Sequence, residues 1–197
     1  MTSGTRTAYF ITHPDVVIDP ALAVPDWSLS PRGRTRMAGA LVLPWIRSIG
    51  AVWCSTERKA RDAADILAAH LGLPVAEMAD LGENDRSATG YLPRGEFEAL
   101  ADRFFAHPEA SVRGWERAAD AQRRIVAAVD RVLGVSADDS GNIAIVSHGA
   151  VGTLLLCHLR GEPIGRRHDQ PRNNGGNYYA FDAATRELRH GWRSIDG

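Results

Sequence analysis

Ile143-Ala144-Ile145-Val146-Ser147-His148-Gly149-Ala150 is an apolar, strand-like run that ends in Ser-His-Gly and passes into a helix-like segment. A second run of the same kind, Ala8-Tyr9-Phe10-Ile11, ends in Thr12-His13-Pro14-Asp15. In open α/β sheets ligands bind beyond the carboxyl ends of parallel strands, so His13 and His148 are placed to converge on one pocket. Two imidazoles in one pocket suit covalent phosphoryl transfer, with one attacking while the other donates hydrogen bonds to the phosphoryl oxygens.

Outward from these two runs, strands alternate with helices. Thr5 to Ile11 reads as the first strand and Pro14 to Asp26 as a Pro/Asp-rich loop. Ser30 followed by Pro31 is an N-cap with proline at the first helical position, opening a helix expected to run to about Ile49 with a kink at Pro44 and a stop at Gly50. Ala51 to Cys54 is a second buried strand. Ser55 or Thr56 caps a helix with Ala60, Ala63, Ala64, Ile66 and Leu67 on its inner face, ending near Gly72. Val75 to Met78 reads as a third strand and Asp80 to Arg94 as a long loop, of the kind that often carries function. Helices are expected over Glu96–His107, Trp115–Leu133 and Ala150–Arg160, a strand over Asn142–Val146, and a closing hairpin from Tyr178–Phe181 and Glu187–Trp192. The alternation predicts an α/β fold with a mostly parallel sheet. The 197 residues fit one domain, with a helical insertion at about 91–115.

Composition is ordinary for a globular protein, 44% hydrophobic and 24% charged, and the formal net charge of −1 points to no nucleic-acid or membrane partner. Cys54 and Cys157 lack metal-binding or redox spacing and read as buried free thiols of a reducing compartment. Met1 to Arg6 is polar and the apolar stretch after it is too short for a signal peptide, so a cytoplasmic location is expected. No HxH, HExxH or His/carboxylate spacing accompanies the histidines, so no metal and no cofactor is expected.

The order of these elements resembles the histidine phosphatase superfamily, the phosphoglycerate-mutase-like group. It runs from a strand ending in His13, through Leu29-Ser30-Pro31-Arg32-Gly33-Arg34, a Ser55-bearing strand end leading into an Ala-rich helix and a loop glutamate, to Ser147-His148-Gly149. The resemblance covers nearly the whole chain. It implies a three-layer αβα sandwich, His13 as the nucleophile that is phosphorylated, and His148 as the second pocket histidine. It also implies Glu83 as the acid that protonates the leaving oxygen, with Asp80 and Asp85 as rival candidates, and a small phosphorylated substrate or phosphate as ligand.

The departures from the family pattern matter as much. Where the family has Arg-His-Gly, this chain has Thr12-His13-Pro14, so a bidentate guanidinium is replaced by a neutral hydroxyl. Lys59 stands where the family has its second arginine, in Ser55-Thr56-Glu57-Arg58-Lys59-Ala60. Thr12, Lys59 and Arg86 are therefore the candidate substrate-binding residues, with Arg58 and Arg61 as weaker compensators whose default is a solvated helix face. Glu116 reads as a charge favourable to a helix N-terminus, and His168 and Asn173 to Asn177 as a loop at the rim. Phe97, Phe104, Phe105 and Trp115 either cap the pocket or pack against the body. The leading expectation is a metal-independent phosphomonoester hydrolase acting through a phosphohistidine on His13. A catalytically weakened member serving as a phospho-ligand-binding or regulatory module is the alternative, and a phosphomutase a second one.

Overall fold

The computed structural model describes residues 6–136 and 140–197. Thr5, read above as the start of the first strand, lies outside them. Six strands, β1 (Thr7–Thr12), β2 (Ile49–Cys54), β3 (Val75–Glu77), β4 (Asn142–Ser147), β5 (Asn177–Asp182) and β6 (Leu188–Ser194), form one sheet in the order β3-β2-β4-β1-β5-β6. The first four in that order pair in parallel, β5 runs antiparallel to β1, and β6 antiparallel to β5.

The apolar runs become the two central strands, where both faces are covered. Ile143, Ala144, Ile145 and Val146 are all fully buried, as are Ala8 and Phe10 of the neighbouring strand. Successive side chains point to opposite faces, and each face has its own core. On one side Phe10, Ile143 and Ile145 pack beneath α4 (Ala118–Val135) and α5 (Gly149–Leu159), with residues of α3 (Arg94–Ala106) joining them. On the other, Ile11, Ala144 and Val146 pack against α1 (Pro31–Ala40) and the alanine face of α2 (Arg58–Leu71). The result is the expected three-layer sandwich. The register sets Thr12 opposite Ser147, so the chain leaves both strands at one edge and delivers His13 and His148 side by side.

Local differences from the sequence reading have physical causes. The first helix stops at Ala40 and not near Ile49. Pro44 lacks an N–H and its ring would collide with the carbonyl four residues back, which is that of Ala40. Gly50 does not stop a helix. It lies inside β2, where a Cβ would come within 1.7 Å of the Ser140 carbonyl oxygen, so the strand needs glycine for close backbone approach. The second helix is not capped by Ser55 or Thr56; its N-cap is Glu57, because the Ser55 hydroxyl is turned to His148. The helix expected from Trp115 begins at Ala118 and the one expected from Glu96 begins at Arg94. Ser30 does cap α1, its Oγ accepting from Gly33 N at 3.0 Å. Among the described residues no helix is long and apolar enough to cross a membrane.

Candidate active site

A cleft of about 550 Å³ opens beyond the carboxyl ends of β1 and β4, and Thr12, His13, Lys59, Glu83 and Arg86 all line it. His13 is held at three points. Its N–H donates to Ser147 O at 3.2 Å, its carbonyl accepts from Gly176 N at 3.1 Å, and its Nδ1 lies 3.0 Å from Pro14 O. A carbonyl only accepts, so the proton belongs on Nδ1 and the lone pair on Nε2. Gly175, at φ +75°, makes the grip on the His13 carbonyl possible, since a Cβ there would stand 2.2 Å from that oxygen. Burial, with the Lys59 ammonium adding to it, lowers the His13 imidazole to about 4, leaving it unprotonated at neutral pH.

His148 stands behind it, fully buried, with ring centroids 5.2 Å apart and planes at 68°. Its Nε2 is 2.7 Å from Ser55 Oγ and 3.3 Å from Glu57 Oε1, while Nδ1 has no hydrogen-bond partner among the described residues. Burial keeps this imidazole neutral too, against the pull of the Glu57 carboxylate.

Glu83 reaches the cleft from the loop after β3. Ser147 Oγ donates to Leu81 O at 2.7 Å, and Arg124 of α4 donates to Asp80 O, Gly82 O and Glu83 O, fixing that loop to the end of β4. The Glu83 carboxylate accepts from Ala150 N at 3.2 Å and Val151 N at 3.1 Å, at the first turn of α5. Burial raises its carboxyl above the ordinary range, outweighing those donors and Arg86. Its rivals are placed elsewhere: Asp80 pairs with Arg131 on an exposed edge, and Asp85, also exposed, accepts from Ser87 N.

The cationic candidates divide sharply. Lys59 is 3% exposed, and its ammonium donates to Glu57 Oε2 and to Val24 O. Arg58 pairs with Asp62, and Arg61 with Glu77, along the face of α2. Thr12 is also engaged: its hydroxyl accepts from Asn177 N at 3.0 Å and lies 2.9 Å from Gln170 Oε1. Arg86 is different. Its guanidinium lies 4.9 Å from the centre of the Phe97 ring, and no ion pair holds it among the described residues.

Two residues with a part in the site escaped the sequence reading. Glu57 accepts from Glu83 N at 2.7 Å, touches His148 and pairs with Lys59, so one carboxylate joins three of the candidate residues. Burial alone would raise its carboxyl, but the Lys59 ammonium and the Glu83 N–H hold it low, at about 2. Arg124 anchors the Glu83 loop and bonds Glu116, which is thus a partner for Arg124 and for Asp85 N more than a helix-terminal charge. His168 pairs with Glu162 away from the cleft, while Asn174 and Gly175 line it. Of the four aromatics, Phe104 and Trp115 are in the core, and Phe97 and Phe105 reach the cleft wall.

Residues 22–187 match the family model of the histidine phosphatase superfamily (branch 1), a match that begins after His13. Among solved structures, Bacillus stearothermophilus YhfR is 21% identical with a TM-score of 0.76, over 94% of this chain and 95% of that one. A mycobacterial glucosyl-3-phosphoglycerate phosphatase, in complex with inorganic phosphate, is 20% identical with a TM-score of 0.73, over 98% and 99%. The α-ribazole phosphatase of Shigella flexneri is 16% identical with a TM-score of 0.67, over 97% and 96%. At these identities the likeness is one of fold. A sequence search among curated proteins gave no match.

Proposed function

Because the chain belongs to branch 1 of the histidine phosphatase superfamily, we propose that it is a metal-independent phosphomonoester hydrolase in which His13 carries the phosphoryl group. The observation that carries this reading is the state of His13: an unprotonated imidazole, its Nδ1 tied to Pro14 O, with Nε2 left as the attacking atom. His13 Nε2 forms a bond to phosphorus as the ester P–O bond breaks, and the Glu83 carboxyl gives its proton to the departing oxygen. Water then attacks the phosphohistidine. Glu83 takes its proton, the P–N bond breaks, and phosphate leaves. With Ser55 Oγ donating to its Nε2, His148 keeps its proton on Nδ1, which has no partner among the described residues, and donates from there to the transferring oxygens.

Arg86 is the cation of the phosphoryl site in this reading, since Thr12 is neutral and Lys59 is matched by Glu57. Arg86→Ala is expected to lower kcat/KM by about 10²–10³-fold, the scale of losing one preorganised donor, and Arg86→Lys to restore part of it. Steady-state kinetics on any accepted substrate check this; an unchanged Arg86→Ala variant removes the assignment.

The reaction needs His13 unprotonated and Glu83 protonated. The rate is therefore expected to rise through about pH 4 and to fall once Glu83 ionises, somewhat above the usual carboxyl range. An acidic limb near 6.5, the value of an unperturbed imidazole, would contradict a free-base nucleophile held in the cleft.

One observation favours the second reading, a catalytically weakened member serving as a binding or regulatory module: Thr12 and Lys59 are already engaged, which leaves fewer groups to stabilise a transferring phosphoryl group. Hydrolysis of a phosphomonoester panel in the presence of chelator separates the two, together with trapping of an acid-labile, alkali-stable phosphoenzyme. Turnover with a trapped intermediate supports the hydrolase; phosphate binding without turnover supports the module.

A further inference from the structure

The cleft extends well past the histidines, and the far side has a character of its own. Its wall is built by Val24 and Trp27 from the segment before α1, Tyr91 and Leu92 from the loop after β3, and Phe97 and Phe105 from α3. Arg94 and Glu98 of α3 also line the cleft, but several polar groups of the aromatic part of the wall already have partners. Trp27 donates its indole N–H to Asp19 O at 2.9 Å, and its ring lies 5.7 Å from that of Tyr91. Phe97 has Arg86 against its ring. Arg166, which also reaches the cleft, is bonded to Asp169, Asp102 and Glu98.

The molecule also leaves apolar surface bare at this place. Among the described residues six large hydrophobic side chains are exposed: Val17, Ile18, Leu22, Val42, Tyr91 and Val135. Four of these, Val17, Ile18, Leu22 and Tyr91, belong to the two loops that border the cleft, and Ile18 and Tyr91 line it. Single exposed hydrophobics need no explanation, but several gathered at the mouth of a pocket mark a binding surface. A sugar laid against the aromatic part of this wall would lose water from its hydroxyls and find few partners there. An apolar body would lose nothing and cover the bare rings. A cleft of about 550 Å³ suits an occupant of small-metabolite size.

We propose that the leaving-group side of the cleft selects phosphomonoesters whose organic part is an aromatic or otherwise apolar body, and disfavours polyhydroxylated sugar phosphates. This rests on the phosphatase reading for the phosphoryl end and adds the substrate class. Arg86 joins the two halves, with its guanidinium beside the phosphoryl site and its face on Phe97.

The test compares 2-phenylethyl phosphate with glycerol 3-phosphate and glucose 6-phosphate. All three are esters of primary alcohols, so differences report recognition more than leaving-group reactivity. The expected result is a kcat/KM about 10²-fold higher for the phenylethyl ester, the scale on which apolar pockets discriminate. In Tyr91→Ala, a change at an exposed position, that preference is expected to collapse toward equality. Equal or reversed preference in the wild type, a preference indifferent to Tyr91, or better turnover of a phosphopeptide would overturn the proposal. If no ester is hydrolysed, the phosphatase reading fails by itself. Calorimetric binding of 2-phenylethylphosphonate against methylphosphonate then decides the present inference: tighter binding of the former sustains it and equal binding ends it.

Discussion

Replacing His13 by alanine is expected to lower kcat by about 10⁴–10⁶-fold, the range lost when other hydrolases are deprived of a covalent nucleophile. His13, the proposed nucleophile, lines the cleft with the proton of its ring held on Nδ1 by Pro14 O, which leaves the Nε2 lone pair free. Among the described residues His148 is fully buried and the Lys59 ammonium is paired, so neither competes with His13 as nucleophile. Loss of the covalent intermediate is expected with loss of rate, and the two should be measured on one preparation. The fold should survive, because His13 is partly exposed and the bond its side chain makes to the backbone is to the adjacent Pro14 O. Residual activity within tenfold of the wild type, in a protein with an unchanged melting temperature, would assign the nucleophile elsewhere.

The largest effect on stability is expected from Glu57→Ala. Lys59 is 3% exposed, and without the carboxylate its ammonium keeps only the Val24 carbonyl. Breaking a buried pair by removing one partner costs about 3–5 kcal/mol, because the remaining charge is left uncompensated. In a domain of this size that shifts the melting temperature by about 10 °C or more. Adding Lys59→Met is expected to recover most of the loss, since replacing a buried pair by apolar groups of similar volume is often neutral. Urea denaturation of the single and double variants checks both claims. A single variant as stable as the wild type would mean that the pair is solvated and contributes little. The same carboxylate, held at about 2, also contributes stability above the ordinary carboxyl range that is lost as the pH falls toward that value.

The layered α/β fold was legible from two features, the apolar runs at Ala8–Ile11 and Ile143–Val146 and the helical patterns between them, because buried parallel strands must be apolar on both faces. Helix ends were less legible where two signals compete. Pro44 marks both a kink and a stop, and only the packing of the following turn settles that the helix ends at Ala40. Ser55 has the chemistry of an N-cap, but a buried imidazole nitrogen at 2.7 Å is the stronger claim on its hydroxyl. His13, His148 and Glu83 could be singled out because strand ends and resemblance mark them. Glu57 could not: beside Arg58 and Lys59 it reads as one more charge on a solvated helix, and its role arises only when the chain folds it under His148. Thr12 and Lys59 are present where anticipated, but their polar atoms face inward partners that lie far away in sequence, Asn177 and Gln170 for one and Val24 for the other.

The pairing of Lys59 with Glu57 bears on how the reaction ends. A phosphoryl pocket crowded with free cations holds inorganic phosphate tightly, and such a catalyst slows as its product accumulates. Here the buried ammonium already has an anion beside it, and a threonine stands where a guanidinium would be. Under the proposed reading phosphate is then held chiefly by Arg86 and His148, and its departure is expected to be fast. Under the proposed reading this protein gives up some grip on the transition state and gains rapid product release. It is therefore suited to sustained turnover in a phosphate-rich medium, where a more highly charged pocket would stay occupied.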